Sequence, residues 1–320
     1  MQRSSRRAEP AGIRAAPILL GAAALAALVL SSAPTSAQAP ERGPVVLSLG
    51  FGARAQGLGG ALQPGEQDPD AVFANPALAA LAGGFGLGWQ RFDSEGTAVS
   101  VSSARSWFGG GIFGGVQALD WNGSTRPEAY AGGVDPLLAE GGEGASELAL
   151  TVGYGRTLFG LRAGVAAKYW VQRYGASNVA GLAFDLGLAR RLGPGWLHAR
   201  ARNLGAPATW GEVEVDLPVE LGLGWGAYGR PLGPLDLGGA IDVSRRADGE
   251  WLVGGGLEFG YWPIRGRTFV GRLGARTVPE GDASPFSLGG SFWGDDLVID
   301  YAFQPAEGSD GIHRVTLGWR

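Results

Sequence analysis

Cysteine is absent from the 320 residues, methionine occurs once, histidine twice, and Lys168 is the single lysine among 26 basic residues. Without thiols there are no disulfide frameworks, thiolate zinc sites, iron–sulfur clusters or cysteine nucleophiles. No G-x-S-x-G, H-E-x-x-H or C-x-x-C spacing occurs. The stretch Gly224 to Gly229 fits G-x-G-x-x-G, but it lies in an alternating strand pattern with no helix after it, so the dinucleotide reading lacks its context. Basic excess is missing too: net charge is −4, and it becomes −7 once residues 1–39, with four Arg and one Glu, are set aside. That balance excludes a nucleic-acid partner, which would need cations against phosphates. No catalytic residue, cofactor or metal site is expected.

Glycine is abundant, at 58 residues, without a G-X-Y period and beside 45% hydrophobic residues. Neither collagen nor disorder fits. The chain is ordered and needs many small side chains.

Residues 1–39 carry Arg3, Arg6, Arg7 and Arg14, then an uncharged run from Ile18 to Leu30, then Ala37-Gln38-Ala39. This order is expected to be a cleaved secretory signal, since the apolar run is short of the ~20 residues of a spanning helix. An exported chain with no later helix of that length is soluble, or crosses an outer membrane with strands.

From residue 84 onward the apolar residues alternate. Phe159, Leu161, Ala163, Val165, Ala167, Tyr169 and Val171 share one face, with Arg162, Lys168 and Gln172 on the other. Leu182, Phe184, Leu186 and Leu188 oppose Asp185, and Leu197, Ala199 and Ala201 oppose His198, Arg200 and Arg202. The pattern predicts strands at about 84–92, 96–105, 107–119, 147–157, 159–172, 178–190, 195–203, 217–229, 234–245, 250–261, 267–276, 285–293, 296–304 and 311–320. Such lengths match tilted membrane strands of ~9 to 11 residues better than the ~5 to 6 of an average strand. Connections alternate between tight and long, the long ones at 120–146, 204–216, 277–284 and 305–310. The expected fold is an all-β transmembrane antiparallel barrel of about fourteen strands over 84–320, with both barrel termini periplasmic. Two aromatic belts are expected, one from Trp107, Phe159, Trp196, Trp262, Trp293 and Trp319, the other from Trp89, Trp121, Tyr169, Trp251 and Phe303. A secreted soluble β-sheet binding protein is the alternative.

Residues 40–83 break the alternation and read as a hatch, with a short helix starting near Asp68 to Asp70 and interrupted at Pro76. Gly52-Ala53-Arg54-Ala55, Gly57-Leu58-Gly59-Gly60-Ala61, Asp68, Asp70-Ala71-Val72 and Asn75-Pro76-Ala77 carry a family pattern, joined later by Arg202-Asn203-Leu204-Gly205, Leu217-Pro218, Asp300 to Phe303 and His313 to Leu317. On these residues the chain resembles the FadL-like outer-membrane barrels, and most closely their PorV/PorQ family. It departs from such barrels at its end, where Trp319 is followed by Arg320. The resemblance implies a 14-stranded barrel with an N-terminal hatch, in an outer-membrane lipid setting. It also implies non-catalytic envelope transport, by one of two routes: passage of hydrophobic small molecules, or type IX secretion with secretion-system proteins or cargo as partners.

Candidate site residues follow from both readings. The hatch motif comprises Gly52, Arg54, Gly57, Gly59, Gly60, Asp68, Asp70, Asn75 and Pro76. Residues expected to line the lumen are Arg162, Lys168, Asp185, His198, Arg200, Arg202, Asp236, Asp242, Glu258, Arg272, Asp300 and Arg314, of both signs and so able to pair with one another and with the hatch. A polar pore is the alternative for these charges. An outer-membrane lipid hydrolase using His198 or His313 is a third reading of the chain, and Asp68 and Asp70 with Asp135, Glu140 and Glu143 could hold a divalent cation outside.

Overall fold

The computed structural model describes residues 43–50, 52–64, 68–92, 96–121, 145–174, 177–211, 213–264, 267–278, 284–308 and 310–319. The expected signal segment, most of the long loop at 120–146, and Asp135, Glu140 and Glu143 lie outside them.

Period-two sequence gives period-two structure. The strands are β1 (Gly84–Phe92), β2 (Gly96–Trp107), β3 (Gly110–Asp120), β4 (Ala145–Leu158), β5 (Leu161–Tyr174), β6 (Ser177–Leu192), β7 (Gly195–Leu204), β8 (Ala208–Trp210) and β9 (Val213–Val215). They continue as β10 (Glu220–Leu232), β11 (Leu235–Arg246), β12 (Trp251–Ile264), β13 (Arg267–Arg276), β14 (Phe286–Trp293), β15 (Leu297–Gln304) and β16 (Ile312–Trp319). Fourteen of them form a closed antiparallel barrel in which each strand pairs with its sequence neighbours and β16 closes on β1; β8 and β9 form a separate hairpin. Closure leaves the barrel sheet without an edge, which is how a membrane-spanning β-sheet satisfies its backbone.

At one end, here called the short-turn end, every connection is short, with two or three residues between β2 and β3, β4 and β5, β6 and β7, β10 and β11, β12 and β13, and β14 and β15. The long connections gather at the opposite, long-loop end, where β1–β2 and β5–β6 are also joined by only three and two residues. The strand pattern missed β8 and β9, because segments of three residues carry no readable alternation. They lie in the connection between β7 and β10, and Trp210 stacks on Tyr174 with ring centroids 5.2 Å apart.

Facing directions follow the sequence register. On β6, Leu182, Phe184 and Leu186 are exposed while Ala183, Asp185 and Gly187 are buried. The two aromatic belts need correction at three positions. Trp121 is completely buried among Phe92, Leu119 and Trp170. Trp196 has the same parity as His198 and faces inward, where the Arg162 guanidinium lies 4.0 Å above its ring. Trp293 shares the inward parity of Ser287 and Ser291 and stands 5.0 Å from the Arg54 guanidinium. Proximity to a strand end was read as outward facing, whereas parity decides the face.

Residues 43–50, 52–64 and 68–83 fill the barrel interior. They form a 3-10 turn at Val45–Ser48, a helix α1 (Gly52–Gly57), and two further 3-10 turns, Pro69–Phe73 and Pro76–Ala80. The expected helix near Asp68 is therefore a 3-10 turn. Asp68 caps it by accepting from the Asp70 amide at 3.1 Å, and Asn75 opens the next by accepting from the Ala77 amide at 3.0 Å. A proline at the first position of each turn fits, since it has no N–H to satisfy there. Val45, Val46, Leu47 and Leu49 pack with Phe92, Leu119, Trp121, Trp170 and Leu217, so the long-loop end is closed by an apolar cluster.

The glycine excess has its explanation here. A Cβ on Gly164 would stand 2.3 Å from the carbonyl of Pro76, and one on Gly254 2.1 Å from the oxygen of Gly59. The wall is bare where the hatch backbone touches it.

Candidate functional site: the hatch and its vestibule

Hatch and wall meet through charge as well as shape. Arg54, on α1, is buried; its guanidinium donates to Gln63 Oε1 at 2.9 Å, to both carboxylate oxygens of Glu258 at 3.1 Å, and to the Tyr228 hydroxyl. The same group lies 4.1 Å from the centre of the Tyr228 ring. Glu258 in turn accepts from Arg272 Nε at 2.7 Å, and Arg272 reaches Asp300 at 2.9 Å. A planar donor fork satisfied on every side suits a buried arginine and would not suit lysine.

A second network occupies the β7, β10 and β11 wall. Arg200 bridges Asp242 and Glu220, each at 2.7 Å, and Arg202 adds a contact to Glu220 at 3.3 Å. Arg202 also donates to Leu47 O at 3.0 Å, which ties the network to the hatch. His198 is buried, with Nε2 3.3 Å from Leu62 O and 3.7 Å from Asp242. Asn203 is the hub of a third group. It stands in left-handed backbone, with φ +57, where the β6–β7 register shifts, and its amide donates to Asp185. Its side chain accepts from Lys168 at 2.9 Å and donates to Leu47 O and Pro218 O, while Lys168 pairs with Asp185 at 2.7 Å. Arg314 donates to Gln90 at 2.9 Å, and Asp70 accepts from Ser102 at 2.8 Å.

Ten of the twelve residues expected in the lumen are thus buried inward, whereas Arg162 and Asp236 are half-buried near the short-turn end. Of the hatch motif, Gly52, Arg54, Gly57, Gly59, Asp70, Asn75 and Pro76 are buried and Gly60 and Asp68 half-buried, and Asn75 donates to Ala199 O at 3.0 Å. Gly52, Gly59 and Gly60 have positive φ. His313 sits at the long-loop end beside Tyr301, its Nδ1 2.9 Å from the hydroxyl. Among the described residues no group of His, Asp or Glu could hold a metal. Sequence reading missed Gln63, Glu147, Glu220 and Tyr228, and gave Asn203 only as part of a family motif. Inward parity marks Glu147 and Glu220, and also Tyr228, which lies an even number of positions from Glu220 on the same strand, beside the register shift between Ala227 and Arg230.

The lumen is not filled at the short-turn end. A cavity of 340 Å³ opens there, walled by Trp196, Tyr228 and Trp293, with Leu81, Val298 and Pro64 adding apolar surface. Arg54, Asp68, Asp300 and Arg191 are its charged groups. Burial, and next the neighbouring Asp70, push the Asp68 carboxyl up to about 7. A carboxyl whose folded pKa lies above its unfolded value gives a stability contribution that is full below about pH 4 and declines as pH rises through about 7. Asp68→Asn keeps the cap and removes the charge. It is expected to abolish the loosening of the hatch between pH 4 and 8, read as the midpoint of thermal unfolding in detergent across that range; an unchanged pH profile in the variant contradicts that assignment.

No protein-family model matches the chain, and no curated protein matches it. Solved structures do. The toluene transporter TodX of Pseudomonas putida overlays with a TM-score of 0.53 and 13% identity, over 84% of this chain and 96% of that one. A mutant form, named a monoaromatic hydrocarbon channel, reaches 0.56 at 11% identity over the same shares. The chain shares the TodX fold. A FadL homologue from Pseudomonas aeruginosa overlays at 0.48, with 11% identity, over 85% of this chain and 99% of that one. These neighbours are barrels of the broader FadL group. Identities this low establish architecture alone.

Proposed function

We propose that this chain is a non-catalytic outer-membrane barrel that passes small hydrophobic molecules, with residues 1–39 as its export signal, 40–83 as its hatch, and both barrel termini in the periplasm. The observation that carries the reading is the aromatic vestibule of Trp196, Tyr228 and Trp293 beneath a hatch, on the fold of a protein named a toluene transporter. Outward Leu, Val and Phe on every long strand support a lipid setting, because water gains nothing from such a surface. The enclosed networks support the absence of catalysis. His198 is buried against Leu62 and Asp242, which leaves it no path to a substrate.

The motif resemblance over 52–77 supports a finer reading, a PorV/PorQ-type role in type IX secretion. One experiment separates the two. A strain lacking the gene is compared with its parent for uptake of labelled toluene and of a labelled fatty acid, and for its secreted proteins. Lost uptake with an unchanged set of secreted proteins is the expected result; lost secretion with normal uptake overturns the solute channel.

A further inference from the structure

Four reversals at the short-turn end share one frame. Arg105-Ser106-Trp107 leads into the turn at Phe108-Gly109, and Arg156-Thr157-Leu158 into Phe159-Gly160. Arg190-Arg191-Leu192 leads into Gly193-Pro194, and Arg230-Pro231-Leu232 into Gly233-Pro234. In each frame the first arginine and the apolar residue two positions on face outward. Their pairing shows this: Arg105 sits opposite Ile112, Arg156 opposite Ala163, Arg190 opposite Leu161 and Leu197, and Arg230 opposite Leu237. All four arginines are exposed. None is within ion-pair distance of a carboxylate among the described residues. They occupy a continuous arc of the wall, from β2 through β7 to β10.

The turn tips add apolar surface to the charge. Phe108 and Phe159 are 77% and 100% exposed, and both hold left-handed backbone, with φ of 44 and 52, which bulky residues avoid. Trp107 packs edge-on against Phe108 with centroids 4.6 Å apart. Toward the turn each arginine is followed by an outward apolar residue, Trp107, Leu158, Leu192 or Leu232; toward the barrel's middle Arg156 and Arg190 have Tyr154 and Leu188, whereas Arg105 has Ser103. Water alone does not call for that sequence of surfaces, and an acidic protein does not call for apolar flanks. The junction of hydrocarbon and phosphate does: the stem of arginine lies along apolar surface while its planar head meets a phosphate oxygen pair.

We infer that this arc is a collar binding the phosphodiester headgroups of anionic phospholipids in the leaflet at the short-turn end. The assignment rests on the membrane reading above. The wall supplies four cations with no counter-charge of its own, and the surrounding lipid supplies the anions.

The test uses the full mature chain in non-ionic detergent, followed by native mass spectrometry with equimolar phosphatidylglycerol and phosphatidylcholine of matched chain length. Wild type is expected to retain phosphatidylglycerol by about tenfold or more over phosphatidylcholine. The quadruple variant Arg105→Gln, Arg156→Gln, Arg190→Gln, Arg230→Gln is expected to lose the preference, and the pairs Arg105→Gln/Arg156→Gln and Arg190→Gln/Arg230→Gln each to lose part of it. A cold-detergent heat-shift gel shows that each variant has folded, and the pairs carry the test where the quadruple variant has not. Equal retention of the two lipids by wild type overturns the collar, as does an undiminished preference in the folded variants. Inorganic phosphate is added in a separate arm; if it displaces the lipid at the same concentration, the lipid source is overturned. Insertion into vesicles is measured in parallel. A chain that inserts without preference defeats the collar alone, whereas one that enters no vesicle defeats the membrane reading along with it.

Discussion

Replacing Gly164 by valine is expected to unseat the hatch and leave the barrel closed. The new Cβ would lie 2.3 Å from the carbonyl carbon and oxygen of Pro76 and 2.5 Å from the Ala77 amide, all of them backbone atoms that cannot rotate away. Overpacking against a well-packed neighbour costs about 1–3 kcal/mol, and rigid backbone puts this site at the upper end. The strand itself tolerates the change, because Gly164 is not in left-handed backbone and valine favours extended structure. The conflict therefore falls on residues 75–79. Raised ion conductance in a planar bilayer, with new trypsin cleavage after Arg54, is the expected result. Gly271→Val serves as the control, since a Cβ there meets nothing within 4 Å. Conductance at the wild-type level in the Gly164 variant would show that the hatch is not held by its fit to the wall.

The second large effect is expected at Arg54. Truncation to alanine leaves Glu258 with one partner instead of two and strips Gln63 and Tyr228 of a shared donor, all in a buried setting. Breaking one side of a buried pair costs about 3–5 kcal/mol, mostly through the charge left behind. Thermal unfolding in detergent is the readout. Because Glu258 keeps Arg272 at 2.7 Å, the check is a cycle: Arg54→Ala is expected to cost less in a Glu258→Gln background than in the wild type, and strictly additive losses argue against the pair as the latch.

These two sites show what the sequence makes legible and what it hides. Alternation over 159–171 fixed the face of every residue on β5, including the inward position of Gly164, because a strand has only two faces. The lumen charges followed from the same parity, so Lys168, Asp185, Arg200 and Asp242 could be gathered in one interior without any knowledge of distance. Pairing is another matter. Arg54 and Glu258 are separated by 204 positions, and no local pattern joins them. Aromatics misled where strand-end proximity was preferred to parity, as at Trp196 and Trp293. Tyr228 shares the inward parity of Glu220, but a reading that looked for lumen charges passed it over; the register shift between Ala227 and Arg230 makes counting by twos fail only at Arg230. The hatch was visible only as a break in alternation plus a motif, since irregular backbone is shaped by its container.

The barrel closes by pairing its first strand with its last, Phe85 opposite Trp319 through Phe92 opposite Ile312. The hatch precedes the first strand, and β1 is its only covalent link to the wall. A segment tethered at one point can take its seat as the wall curls around it or, once the seam has sealed, by folding in through the mouth of the ring, so closure of the circle does not itself lock the hatch in or out.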